Sequence, residues 1–238
     1  MALKILHNEA YLWFCHPQFF QDKGLLSEFE SVLSAAESER LQRFRFEKDR
    51  HSFLVSHAML RHVLSKYLDL EPSMLQFDTN DHGKPELVNV TGSSLLRFNL
   101  THTEGLSACV VTLNKACGID AESVHRKNNI AAVAKRMFAA EELAFLASCG
   151  NTELHFYDFW TLREAYVKAV GTGLAGSSCD FYFSLQPDEQ TANIYFKQTA
   201  NDAANWKFSL LELDDEHRLS IAIESSVPVR VMSSEFVY

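Results

Sequence analysis

The feature that most constrains the fold is a repeated order of secondary-structure patterns along the 238 residues. In the first pass, residues 9–15 have the aromatic and apolar content of a strand, and residues 49–68 form the longest helical pattern before further strands. In the second pass, helical patterns fill residues 123–170 and strand alternation follows to the end. We predict an α+β protein of two similar α/β halves, residues 1–113 and 114–238, whose meeting surface is a natural place for a ligand.

The acidic balance of the chain argues against a general binder of nucleic acid or anionic membrane. Its formal net charge is −9, whereas proteins that bind phosphate backbones carry basic surfaces. The N-terminus lacks the apolar run and cleavage site of a secretory signal, and no stretch is apolar enough to span a membrane. Five cysteines without a CxxC pair indicate reduced thiols. We expect a soluble, cytoplasmic protein.

The helical pattern at residues 153–170 places charged side chains along one stripe. Glu164 and Lys168 are spaced i,i+4, with Arg163 one step to the side. The pattern ends at Gly171, a residue type that reaches left-handed backbone angles at helix C-termini. Two interpretations stay open from this stretch alone: an ordinary surface salt bridge and a functional site.

Two carboxylates follow an apolar run of the second half. Asp120 and Glu122 are two residues apart, so on a strand both point to the same face. Carboxylate oxygens are the ligands of hard Mg²⁺, which takes one or two of them together with phosphate oxygens and water. The alternative is a pair of solvated charges at a strand end.

Three groups of residues in the first half can contact phosphate. Thr101 and His102 stand where a strand gives way to a turn, with hydroxyl and backbone N–H groups available. Lys84 and Pro85 follow a glycine and could carry a cation beside a rigid apolar surface. Arg40 belongs to a basic group before the long helix. A capped turn, a plain turn and a solvated face are the respective alternatives.

The order of these motifs resembles one enzyme family. A basic segment is followed by G-K-P, F-N-L-T-H-T, G-I-D-A-E and then W-T-L-R-E-A-Y-V-K-A-V-G-T-G-L. In this order, from about Ser34 to Leu174, the chain resembles the larger, pseudo-dimeric type of 4′-phosphopantetheinyl transferase. The resemblance implies two halves packed as a pseudo-dimer with the active site between them. It also implies a monomer whose first half faces the coenzyme A nucleotide and whose second half carries the metal and the catalytic helix.

The resemblance implies a reaction and a set of catalytic residues. Such enzymes transfer the phosphopantetheine arm of coenzyme A to a serine of an acyl, peptidyl or aryl carrier protein and release 3′,5′-ADP. The expected ligands of Mg²⁺, or of Mn²⁺, are Asp120, Glu122 and Glu164. Glu164 is also the expected base for the serine hydroxyl, while His102 and Lys168 would offset charge on the pyrophosphate.

Further positions match the donor-binding residues of the family. Thr101 and His102 match the pair that contacts the phosphates, and Lys84 and Pro85 match the G-K-P beside the nucleotide. Arg40 falls near a basic position that meets the 3′-phosphate. Two departures stand out: Arg163 replaces the usual lysine and is expected to remain a phosphate contact, and Ala121 replaces a larger aliphatic residue.

A basic helix after the G-I-D-A-E motif predicts where the carrier protein docks. The segment from Ser123 to Phe138 holds four cations and no acidic residue, and carrier proteins are typically acidic, so attraction would steer them to the site. The expected docking residues are Arg126, Lys127, Ile130, Val133, Arg136 and Met137.

Two other functions compete with transfer. A magnesium-dependent phosphohydrolase or nuclease could use the same three carboxylates with water as nucleophile, but it gives no role to G-K-P and T-H-T. A binding module without catalysis would leave Glu164 and Lys168 unexplained.

Overall fold

The computed structural model describes residues 3–88, 95–126, 129–171, 180–186, 190–197 and 205–238. Its helices and strands, in chain order, are β1 (Glu9–Cys15), α1 (Lys23–Ser31), α2 (Ala35–Gln42), α3 (Glu47–Tyr67), β2 (Phe77–Thr79), β3 (Pro85–Leu87), β4 (Leu96–Thr103), β5 (Leu106–Leu113), β6 (Cys117–Ser123), α4 (Ile130–Met137), α5 (Ala140–Ser148), α6 (Thr152–Val170), β7 (Phe181–Leu185), β8 (Thr191–Phe196), β9 (Trp206–Leu211), β10 (His217–Glu224) and β11 (Arg230–Glu235). The predicted α+β class is confirmed. No helix in these ranges is long and apolar enough to cross a membrane.

The chain divides into two units, and the first unit consists of two segments that are separated in the sequence. The first unit comprises Met1–Asn114 and Arg230–Tyr238, and the second comprises Lys115–Val229. Residues after Val229 return to the first unit because β11 pairs in parallel with β1, Glu9 lying opposite Arg230 and Phe14 opposite Glu235. The predicted second half, in contrast, ran to residue 238.

The first unit is built around a sheet with strand order β11-β1-β5-β4. Helix α3 packs on strands β1, β4 and β5 of this sheet, and its residues Val55, Met59 and Val63 are fully buried. Phe236, directly after β11, is 2% exposed in the same core. Burial of a phenylalanine at this level contributes about 2 kcal/mol, so the returning segment adds both strand pairing and apolar packing.

A buried ion pair joins α2 and α3 within the first unit. Arg61 is fully buried, and its Nε donates to Glu37 at 2.9 Å while its Nη1 donates to the carbonyl oxygens of Pro72 and Leu75. Glu37 also closes a capping box with Ser34 at the start of α2. A buried guanidinium is tolerated only when its donors are satisfied, which explains this dense set of partners.

The second unit is an antiparallel sheet, ordered β6-β10-β9-β8-β7, with α6 packed against it. Helix α6 begins after Asn151, whose side chain accepts from the N–H of Leu154 at 3.2 Å. It ends at Gly171, where φ is 75°, a left-handed angle that favours glycine. The predicted helix stop is therefore confirmed, and α6 runs along β6 and β10.

Candidate functional site

One face of β6 presents the two predicted carboxylates to helix α6. Side chains alternate along a strand, so Asp120 and Glu122 share a face. The pairing of β6 with β10 places Ser220 opposite Asp120. Because Ser220 Oγ lies 2.8 Å from Thr161 Oγ1 of α6, this face of the sheet is the one that α6 covers.

Lys168 connects the helix to the first of these carboxylates. Its Nζ donates to Asp120 Oδ1 at 2.6 Å and to the carbonyl oxygen of Ile119 at 3.2 Å. The side chain of Asp120 is 9% exposed and that of Lys168 31%. A charge-assisted hydrogen bond of this length at a nearly buried acid is stronger than an exposed ion pair, so Lys168 holds the end of α6 against β6.

Glu164 belongs to the same electrostatic group. The pKa of its carboxyl is raised to about 7, mainly by burial and also by the carboxylates of Asp120 and Glu122, while the cations Lys168 and Arg163 oppose the shift. The three carboxylates that the sequence singled out therefore act on one another. All three lie in the second unit.

The second carboxylate of β6 is paired with a more exposed cation. Arg126 Nη1 donates to both oxygens of Glu122, at 3.1 and 3.0 Å. The Arg126 side chain is 58% exposed and the Glu122 side chain 14%. Because the Arg126 guanidinium is already largely in contact with water, its release from the carboxylate costs little, so it is a readily displaced partner of Glu122.

The donor chemistry of this group fits a magnesium ion. Two carboxylates on one face are the protein ligands that Mg²⁺ commonly uses beside phosphate and water. Among the residues that the structure describes, however, no group of three His, Cys, Asp or Glu is arranged to hold a metal ion. Asp120 and Glu122 instead engage Lys168 and Arg126, so cations of the chain occupy the carboxylates.

Arg163 is placed differently from the prediction that it contacts phosphate. Its side chain is 1% exposed and its Nη2 donates to the buried carboxylate of Glu142 at 2.5 Å. The guanidinium lies between two rings, 5.6 Å from the centroid of Phe138 and 4.6 Å from that of Phe181. A guanidinium enclosed in this way has no surface for a phosphate, so Arg163 ties α6 to α5 and β7.

The Thr-His pair of the first unit lies at the end of β4. Thr101 is 4% exposed, whereas His102 is exposed. Neighbouring side chains on a strand point to opposite faces, so the structure does not bring the Thr101 hydroxyl and the His102 ring to one face. His102 is the member of the pair that a ligand can reach.

The Gly-Lys-Pro segment forms a turn before β3. Asn80 Oδ1 accepts from the N–H groups of His82 and Lys84, and Gly83 has a φ of 82°, which glycine adopts without strain. Lys84 is half-buried and Pro85 begins β3. The prediction of a turn at this segment is therefore confirmed.

Arg40 stands in the last turn of α2 with its side chain at the surface. Its guanidinium carbon lies 5.2 Å from the ring centroid of Phe53, within the range of a cation–π contact. This contact orients the residue without covering its charge.

The helix on which we expect the carrier protein to dock is α4. Most of its apolar strip packs against the protein's own core. Ile130, Val133 and Met137 are half-buried and pack against the core of the second unit. A strip that already packs internally offers less apolar surface to a partner than the sequence suggested.

The basic residues that we expect to contact the carrier protein differ in their exposure and in their ion pairing. Arg136 and its neighbour Lys135 are exposed on α4. Arg126 is exposed but paired with Glu122. Lys127 lies outside the described residues. An acidic partner could therefore contact exposed cations at two places, Arg126 after β6 and the neighbours Lys135 and Arg136 on α4.

Three charged or titratable residues between α6 and this face of the sheet were not singled out from the sequence. Arg218 lies opposite Glu122 on β10, and its Nε is 3.6 Å from Asp158 on α6. Asp158 in turn lies 3.0 Å from His155 Nδ1. The i,i+3 spacing of His155 and Asp158 on one helix could have indicated their pairing. Arg218 joins them only through the register of β10 against β6, which no local pattern shows.

Comparison with known proteins covers both units. A family model described as the 4′-phosphopantetheinyl transferase superfamily matches residues 116–222, and one described as 4′-phosphopantetheinyl transferase, N-terminal, matches residues 23–113. The chain is 34% identical over 225 residues to the 4′-phosphopantetheinyl transferase HetI of Nostoc sp., covering 93% of this chain and 90% of that protein. It is 28% identical over 179 residues to the 4′-phosphopantetheinyl transferase Sfp of Bacillus subtilis, covering 73% and 77%. Among solved structures, the holo-[acyl-carrier-protein] synthase of Neisseria meningitidis aligns at 20% identity and a TM-score of 0.40, over 46% of this chain and 97% of that one.

Proposed function

We propose the function of this chain from its family: it belongs to the 4′-phosphopantetheinyl transferase superfamily. It transfers the 4′-phosphopantetheine arm of coenzyme A to a serine hydroxyl of a carrier protein and releases 3′,5′-ADP. The family match confirms the resemblance inferred from motif order. The relatives described above give no support to the phosphohydrolase or nuclease alternative.

The observation that carries the mechanism is the environment of Glu164. A serine hydroxyl is a weak nucleophile near neutral pH and needs a base within hydrogen-bonding reach. A base works best when its pKa lies near the working pH, and burial beside Asp120 raises the pKa of Glu164 to about 7. Glu164 is therefore our candidate for the group that takes the serine proton.

We assign the metal to the same carboxylates. Asp120, Glu122 and Glu164 would hold Mg²⁺, or Mn²⁺, and the bound ion would supply charge neutralisation at the pyrophosphate of coenzyme A. Supporting this is their common electrostatic group on the face of β6 that α6 covers. The contacts of Asp120 and Glu122 with Lys168 and Arg126 mean that these cations balance the acidic charge before an ion binds.

The remaining donor contacts are assigned by charge and exposure. Lys168 would offset negative charge on the pyrophosphate, since its ammonium already stands at the carboxylate group. His102 would contribute from the exposed side of β4. In the first unit we assign Arg40, Lys84, Pro85 and Thr101 to coenzyme A, Thr101 being the buried neighbour of the exposed His102. Arg163 is left out of this set.

The second substrate is an acidic carrier protein. The exposed cations at Lys135, Arg136 and Arg126 support docking beside the metal motif, where opposite charge accelerates encounter. We further propose that the protein acts as a monomer in the cytoplasm.

A mass measurement tests the transfer itself. The protein is incubated with coenzyme A, Mg²⁺ and several apo carrier proteins, and each carrier is weighed. A gain equal to the phosphopantetheine arm on at least one carrier supports the proposal. No gain on any carrier, together with phosphate release from simple esters, would favour hydrolysis.

The role of Glu164 is tested in the same assay with Glu164→Gln, which keeps the size of the side chain and removes its basicity. We expect turnover to be lost while calorimetry still detects coenzyme A binding. Glu141→Gln, an exposed position on α5, is the matched control and should behave as the parent protein.

A further inference from the structure

Gly118 lies at the closest approach between β6 and α6. A Cβ added at this position would fall far inside van der Waals contact with the carbonyl oxygen of Ala165 and the amide nitrogen of Ala169, and 3.0 Å from the Cα of Ala169. These are backbone atoms of a helix and cannot rotate away as a side chain could. Only glycine therefore allows this separation of helix and strand.

Backbone torsion does not explain the glycine. Among the described residues, the glycines with positive φ are Gly83, Gly105 and Gly171, and Gly118 is not one of them. Its backbone conformation is one that other residues adopt, near the start of the regular strand β6. The requirement at Gly118 is for space.

The two points of closest approach sit next to the two functional residues of α6. Ala165 directly follows Glu164, and Ala169 directly follows Lys168. On β6, Gly118 shares its face with Asp120, which accepts from Lys168 Nζ at 2.6 Å. Gly118 therefore sets the distance between α6 and β6 at which Lys168 and Glu164 approach the carboxylates of β6.

We propose that Gly118 is a positioning residue of the transfer reaction, acting through Lys168 and Glu164; the inference rests on the proposed function. A side chain at this position must push α6 away from β6. A 2.6 Å hydrogen bond that lengthens by about 1 Å is no longer a hydrogen bond. A misplacement of about 1 Å near reacting groups can lower a rate on the order of 10²-fold.

The test compares Gly118→Ala with Gly150→Ala, whose added Cβ would meet nothing within 4 Å. Folded protein is quantified by circular dichroism, and kcat and KM are measured per folded molecule. We expect Gly118→Ala to lower kcat roughly 10²-fold while the KM for carrier protein changes less than threefold, since α4 is not at this contact. Gly150→Ala should match the parent. A folded Gly118→Ala protein with kcat within twofold of the parent would overturn the proposal.

A second variant covers the case in which Gly118→Ala does not fold. Ala169→Ser adds one atom to the side chain of a residue that is 2% exposed and whose backbone makes the same contact. We expect this variant to fold and to lose several-fold in kcat. If Gly118→Ala is unfolded and Ala169→Ser keeps full kcat, Gly118 serves stability alone and the proposal is wrong. Failure of the parent protein to modify any carrier would instead refute the proposed function.

Discussion

Lys168 Nζ lies 2.6 Å from Asp120 Oδ1, which joins the last turn of helix α6 to strand β6. The sequence suggested a local pair of Lys168 with Glu164, four residues earlier. The contact with Asp120 links positions 48 residues apart, so it fixes tertiary structure and places a cation in the acidic group.

Replacement of this cation should damage catalysis more than folding. Lys168→Met removes the charge that would stabilise the pyrophosphate, and loss of one such electrostatic contact costs about 10²-fold in kcat. The measurement is turnover per folded molecule with saturating coenzyme A. Lys23→Met, at an exposed position of α1, is the control. An unchanged kcat for Lys168→Met would mean that the contact with Asp120 is structural.

Arg163 and Glu142 should behave as a buried pair. Arg163→Met leaves the Glu142 carboxylate buried without its cation, which costs about 3–5 kcal/mol of unfolding free energy. Urea denaturation of the variant measures this loss. Arg43→Met breaks an exposed pair with Glu39 and should cost less than about 1 kcal/mol. A loss for Arg163→Met no larger than the loss for Arg43→Met would contradict burial of the pair.

The ion-pair network of Glu37 predicts acid sensitivity of the first unit. Burial alone would raise the pKa of Glu37, but hydrogen bonds from His57, Arg61 and Ser34 outweigh it and lower the pKa to about 2 from an ordinary 4.5. Because the folded pKa is depressed, the stabilisation is present above about pH 4.5 and is lost as the pH falls toward 2. Its size is on the order of 3 kcal/mol.

The unfolding free energy measured between pH 5 and pH 3 checks this expectation. The parent protein should lose stability steeply in this range, and Glu37→Gln should remove part of the slope. Glu39→Gln, an exposed neighbour on α2, should retain it. Equal slopes for all three proteins would show that Glu37 is not depressed.

Activity should have an acid limb set by Glu164. Its pKa of about 7 means that the carboxylate form becomes scarce as the pH falls through 7. A metal ion competes with the proton for the same oxygens, so a higher Mg²⁺ concentration should move the limb to lower pH. The pH profile of kcat/KM at two Mg²⁺ concentrations measures this shift. A limb that stays in place at both concentrations would speak against Glu164 as a ligand.

Charge reversal on α4 should weaken carrier binding selectively. Lys135→Glu with Arg136→Glu turns an attractive surface repulsive, so the KM for an acidic carrier should rise several-fold and its dependence on salt should fall. The KM for coenzyme A should stay the same. Lys4→Glu with Lys23→Glu, at two exposed positions outside α4, makes the same change of net charge and is the control. An unchanged carrier KM would place docking elsewhere.

The sequence predicted what depends on local spacing. The alternation that places Asp120 and Glu122 on one face, and the Gly171 helix stop, follow from backbone periodicity and were read correctly. The space required at Gly118 could also have been suspected, since glycine weakens a strand unless another backbone comes close.

What the sequence did not predict depends on contacts between distant residues. Arg163 is adjacent to Glu164, but successive helix positions point about 100° apart, so the two side chains serve different surroundings. The partner of Arg163, Glu142, lies 21 residues away and belongs to another helix. Family motifs place both residues in one signature, which hides this division of roles.

The return of β11 to the first unit has a consequence for synthesis. A ribosome releases the chain from its N-terminus, and domains made of one continuous segment can fold as they emerge. Here β1 receives its parallel neighbour only after the whole of Lys115–Val229 has been translated. Until then one edge of the first sheet has unpaired N–H and C=O groups, an edge of the kind that promotes aggregation. The first unit is therefore completed last, although most of it is made first.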